Sequence, residues 1–341
     1  MPAGRAQPWS QSHPVRQALR DRRAAGSKHG YRDDGFKIGV AVEGGGLRGI
    51  VSAAMLNAVE DLGYADAFDD IYACSSGAVN SAYFIQRETW FPLSIYFDDL
   101  TTGEFLDFRR VLRGQGPMNL DYVFEEVLAQ RKPLDYSTLV TAHPRLHIMV
   151  TDVDALRHVD VSTFESADDM RDALRASTWL PIAIHGTATF RGRRAIDGGV
   201  LRFHPYHAAV EDGCTHILSL STKPIAPLST KMSWTNRVAA RYLEKLQPGL
   251  GTGFLESMRA YLTEDRPYLA RTRQRPDDRP AVLDLAPLPG TPEVKRHEVN
   301  HGRLLDGARS AYRAAYLALA GEDPHVVPRL TVWPARGGSA L

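Results

Sequence analysis

Cysteine is scarce in this chain. Cys74 and Cys214 are the only two among 341 residues, too few to staple a small secreted fold, so the expectation is a cytoplasmic protein with free thiols. No run of roughly 18 or more apolar residues occurs, which excludes a spanning helix. An excess of one charge is also missing. The 41 Lys and Arg stand against 40 Asp and Glu, which argues against nucleic acid as a partner, since such an interface clusters cations against phosphates. Residues 1–35 lack the apolar stretch of a signal peptide and read as a flexible basic arm carrying Arg16, Arg20, Arg22, Arg23 and Lys28. Metal-ligand spacing is absent too: no Cys pair has zinc spacing, and Pro144 separates His143 from His147. No metal and no organic cofactor is expected.

What is present is α/β grammar. Phe36 to Val42 is a short, β-branched apolar run suited to a buried parallel strand, and glycines 44–46 break it. Ile50, Val51, Ala54, Met55, Ala58, Val59 and Leu62 follow at helical spacing, with Gly63 at the stop. Phe68 to Cys74 predicts a second strand, then a tight turn and a helix from Ala78. Further strands are predicted at Leu146–Thr151, Val159–Thr163, either side of a turn at Arg191–Arg193, and His216–Leu220; a helix is predicted over Ala167–Ser177. Residues 88–139 mix aromatics with charge and read as helices and loops able to cover a site. Beyond Pro224 the composition turns proline-punctuated and helical, with one strand at Ala281–Leu285 on the sheet edge, a helix over Arg303–Leu319 and a frayed end from Ala335. The fold class is three-layer α/β/α with a mostly parallel sheet. The expected organisation is a catalytic domain over 36–224 and a mostly helical C-terminal extension, 225–341, packed on it.

Three motifs carry chemistry. In Gly44-Gly45-Gly46-Leu47-Arg48-Gly49, successive glycines between strand and helix let backbone N–H groups converge, and Arg48 adds a cation; this suits a phosphate cradle or an oxyanion hole. In Ala73-Cys74-Ser75-Ser76-Gly77, a serine stands in a tight strand-to-helix turn, as in a nucleophile elbow of Gly-x-Ser-x-Gly form, with Ala73 at the first glycine. Ser76 and Cys74 are poorer nucleophiles by position. Asp197-Gly198-Gly199 follows a predicted strand; alone it is only a turn.

Together and in this order, the three motifs resemble the patatin-like phospholipases, over residues 36–222 and including the Ala176-Ser177-Thr178-Trp179-Leu180-Pro181 segment. The resemblance implies a carboxylic ester hydrolase of the lipase or phospholipase A type with a Ser–Asp dyad and no histidine. Ser75 is then the nucleophile and Asp197 the base. Gly44, Gly45 and Gly46 supply oxyanion donors, with Arg48 and Gly49 assisting, and Gly77, Gly198 and Gly199 support the turns. An acyl lipid or phospholipid is the implied substrate, and any membrane contact is peripheral.

Other readings stay open. A Ser-His-Asp triad could recruit His204 or His207, and His185 also flanks Asp197. The Gly44-x-Gly46-x-x-Gly49 pattern fits dinucleotide binding, though Asp69 and Asp70 precede the second strand instead of closing it. A non-catalytic regulatory module on the same fold is the third.

Overall fold

A computed structural model describes residues 7–226, 231–275, 279–324 and 327; the expected frayed end from Ala335 lies outside these. One eight-stranded sheet contains β1 (Ile38–Val42), β2 (Asp70–Cys74), β3 (Arg145–Asp152), β4 (Arg157–Val161), β5 (Ala188–Phe190), β6 (Arg193–Asp197), β7 (His216–Leu220) and β8 (Ala281–Leu285). Its order is β5-β6-β3-β2-β1-β7-β8, with β4 paired to β3 off that path. Strands β1, β2, β3, β7 and β8 run parallel, while β4, β5 and β6 join antiparallel. This is the mostly parallel α/β fold predicted above. Every residue of β1, β2, β7 and β8 is buried, because both faces are covered. Side chains alternate between the two layers: Ile38, Val40 and Val42 enter one apolar cluster and Ala41 the other.

Helices α1 (Pro14–Ala24), α2 (Ile50–Asp61) and α3 (Ser76–Ile85) flank this sheet. The first of them corrects the expectation of a flexible arm. Val15, Ala18 and Leu19 are buried, and α1 lies against β7 and β8. Arg22 pairs with Asp34 (2.6 Å) and Asp69 (2.7 Å), and Arg16 donates to the carbonyl of Leu319 (2.9 Å). These arginines satisfy carboxylates and a helix end instead of solvating a tail. The C-terminal part packs on the sheet with its strand at the edge, at the residues expected for it. Strand β8 continues the central sheet beside β7, and helix His301–Ala320 packs along α2, so both share the main core.

At the amino end of β2 and β3 lies a charged cluster. Asp70, His147 and Asp212 stand close enough to share a cation. Lys37 already sits 2.7 Å from Asp212 and 3.3 Å from Asp70, however, and Arg145 is 3.1 Å from Asp70. His147, only 3% exposed, faces Asp160 (2.7 Å) and Asp70 (3.4 Å). Burial works to lower its pKa, but the two carboxylates outweigh it and hold the imidazole above its ordinary value. A group with a raised folded pKa stabilises fully below its unfolded pKa of about 6.5 and loses that contribution as pH rises through the folded value. Urea midpoints are therefore expected to fall as pH rises above about 6.5, and His147→Gln should flatten that slope. An unchanged slope in the variant would remove His147 from the account.

Candidate active site

The turn between β2 and α3 holds Ser75 at φ 56°, ψ −140°. L-residues visit this region at a cost of roughly 1–3 kcal/mol, and such strain concentrates at functional sites. The close approach of neighbouring chains dictates the small residues around it. A Cβ on Gly77 would lie 2.5 Å from the carbonyl oxygen of Val42, and one on Gly44 would lie 2.6 Å from the Cβ of Ser75. Ala73 departs from the usual elbow glycine, but its methyl is fully buried in the apolar layer. The amide of Ser75 donates to Ser177 Oγ (3.0 Å), whose own hydroxyl donates to the carbonyl of Met149 (2.7 Å). Ser177 thus ties the elbow to β3.

Sheet register explains how two residues 122 positions apart meet. Cys74 pairs with Met149 in the parallel β2–β3 ladder, and the next residue of β3, Val150, pairs with Asp197 on antiparallel β6. Ser75 and Asp197 therefore flank the same stretch of β3 and line one cleft together. Gly198 runs against the backbone of Met149, where a side chain would collide. Asp197 is 4% exposed, and its Oδ1 accepts the Gly199 amide at 2.8 Å. Burial raises its pKa above the ordinary carboxylate range, opposed by the hydrogen bonds from Ser75 and Gly199 and by the charge of Arg296.

The glycine loop lies beside this pair, but its members differ in what they offer. Gly45, at φ 146°, donates its amide to Ser76 Oγ (3.1 Å), and the Gly44 amide is directed at the Cys74 thiol. Gly46, at φ 60°, has no acceptor for its amide among the described residues and lines the cleft next to Ser75. Arg48 and Gly49 correct the expectation for an oxyanion role. The guanidinium of Arg48 is buried over Gly45 and donates to Thr222 Oγ1 (3.0 Å) and Glu293 (3.3 Å), so it braces the loop from outside the cleft. Gly49 makes room for Ser76 and Tyr96 at the start of α2. Burial and the nearby Asp197 hold the Cys74 thiol far above its usual pKa, which leaves it inert.

Two cavities meet at Gly46, Ser75 and Leu180. The larger is walled by apolar side chains such as Val79, Ile95, Leu100, Phe105, Phe124 and Leu128. Much of that wall comes from the aromatic region 88–139. The smaller carries charged groups, Glu43, Asp197 and Arg296, beside Gly199. Arg296 escaped sequence reading. Its carbonyl accepts the Leu47 amide at 3.0 Å and lies where a Cβ on Gly46 would meet it at 2.7 Å, so this distant residue straps the glycine loop.

The histidines lie elsewhere. His204 is fully buried against Ser219 (3.4 Å) and Ser221 (3.3 Å), and His207 pairs with Asp265 at 2.8 Å; neither reaches Ser75. His185 is exposed. Asp69 and Asp70, which a dinucleotide site would need at the carboxyl end of β2, sit at its amino end in ion pairs. The chain is 26% identical over 194 residues to the "uncharacterized protein YjjU" of Escherichia coli (strain K12), which covers 55% of this chain and 52% of that relative. The chain thus matches about half the length of that relative. The family model described as patatin-like phospholipase matches residues 40–210, half of the chain. With strand, elbow, glycine loop and aspartate all inside that span, this chain belongs to the patatin-like phospholipase family.

Proposed function

We propose that the protein hydrolyses carboxylic esters of acyl lipids through an acyl-enzyme on Ser75. One observation supports this most: Ser75, in a cleft shared with the buried Asp197, stands where an apolar cavity joins one that carries charged groups. An acyl chain fills the first and the ester's alcohol occupies the second. Asp197 takes the proton as Ser75 Oγ attacks the carbonyl carbon. The Gly46 amide, free of an internal acceptor, donates to the oxyanion, and Gly44 and Gly45 keep the loop in shape. Collapse expels the alcohol with that proton, and Asp197 then activates the water that releases the fatty acid. No metal or organic cofactor enters any step.

Contact with the lipid source is peripheral, from the cytoplasmic side. Among the described residues no helix is long and apolar enough to cross a membrane. Helical segment Phe108–Arg113 exposes Phe108, Val111 and Leu112, the last at 90%, next to Arg109, Arg110 and Arg113. It lies between the cavity-lining Phe105 and Met118. Exposed apolar groups flanked by cations suit an anionic lipid surface.

A fluorophosphonate probe followed by peptide mapping tests the reading. Labelling at Ser75, blocked by prior incubation with a fatty-acyl ester, is the expected result. Labelling at Ser76 or another serine, or none in folded protein, would instead favour a non-catalytic binding module.

A further inference from the structure

The polar cavity contains one charged group without a fixed partner. Glu43 is committed: its carboxylate accepts the Thr222 amide (2.6 Å) and hydroxyl (2.8 Å) and lies 3.8 Å from Arg48. Asp197 accepts the Gly199 amide (2.8 Å). Arg296 lines the same cavity, is solvent-exposed, and forms no ion pair or side-chain hydrogen bond with any described residue. Its backbone, by contrast, is held by the Leu47 amide, so the residue is kept at the cavity that it shares with Ser75. Residue 296 also lies outside the span that matches the family, 40–210, so nothing in that match assigns it.

We propose that Arg296 is a specificity-determining residue that binds a phosphate monoester on the alcohol side of the scissile ester. This rests on Ser75 being the acyl-accepting nucleophile. The apolar cavity leaves the acyl chain no other direction, so the alcohol portion faces Arg296. A guanidinium offers a planar fork of donors that matches phosphate oxygens, and here none of those donors is taken up by the two carboxylates of the cleft, which accept from Thr222 and Gly199. Single-chain lysophosphatidate is the simplest lipid with this chemistry.

Two esters that differ only in that group provide the test: 1-palmitoyl-lysophosphatidate and 1-palmitoylglycerol, each presented in neutral detergent micelles. The expected result is a wild-type preference in kcat/KM for the phosphate ester that falls about tenfold or more in Arg296→Ala and inverts in Arg296→Glu. An equal fall on both esters would assign Arg296 to the oxyanion and overturn the proposal, as would an unchanged ratio. Binding of the non-hydrolysable 1-O-hexadecylglycerol 3-phosphate, against 1-O-hexadecylglycerol, to Ser75→Ala protein gives a readout without turnover. If wild type hydrolyses neither ester, the nucleophile reading falls, whereas the binding preference and its loss in Ser75→Ala/Arg296→Ala still decide the role of Arg296. Inorganic phosphate added to the neutral ester separates the source of the anion. No inhibition is expected at concentrations where lysophosphatidate saturates, and Arg296-dependent inhibition there would assign the cation to free phosphate and overturn the substrate claim.

Discussion

Alanine at position 75 is expected to lower ester hydrolysis by a factor on the order of 10⁶, the loss met when a covalent nucleophile is deleted from a serine hydrolase. The fold should survive, because alanine keeps the Cβ that packs beside Gly44. It also keeps the strain, since φ 56°, ψ −140° is no easier for alanine than for serine. Glycine, which adopts that conformation freely, should be as inactive but more stable, by about 1 kcal/mol after the extra chain entropy is counted. Thermal unfolding of the three proteins separates strain from chemistry. If the alanine variant retained even a tenth of wild-type turnover, the nucleophile would have to be sought elsewhere, with the adjacent Ser76 the first to replace.

Asp197→Asn should cost about 10⁴-fold in kcat/KM, comparable to replacing the carboxylate that partners a catalytic base. Asparagine preserves an oxygen for the Gly199 amide and so the turn into Gly198-Gly199, which keeps misfolding out of the comparison. The pH profile carries a second signature. Burial raises the pKa of Asp197 above the usual carboxylate range, and a base works only when deprotonated. Wild-type kcat/KM should therefore drop as pH falls through that raised value and level off above it. The asparagine variant should lack this limb in whatever activity remains. A limb that persists with the same midpoint would point to another base.

The sheet, and the two turns that carry Ser75 and Asp197, were legible in the sequence because strand, small-residue turn and helix leave a strong local imprint. Ser75 follows a strand and Asp197 ends one, and their glycines are demanded by neighbours that touch: Gly77 against β1, Gly198 against β3. Three things were not legible. Arg48 sits in the motif, yet its direction depends on Thr222 and Glu293, partners that only folding supplies. Arg296 belongs to no motif, and a lone arginine in a proline-punctuated stretch carries no sign that its carbonyl will meet Leu47. Residues 14–24 did carry a sign, Val15, Ala18 and Leu19 at helical spacing, but the surrounding arginines masked it. Charge was read as solvation where it serves as hydrogen bonding to Asp34, Asp69 and Leu319.

The junction of the two cavities at Ser75 also sets a sequence of departures. On the proposed reading, the alcohol leaves first through the polar compartment while the fatty chain stays anchored in its apolar sleeve, still esterified to the serine. Whatever refills the vacated compartment then becomes the acceptor. Water competes there with any other hydroxyl compound that fits, so the balance between degradation and remodelling of lipids is set by the occupancy of one small chamber.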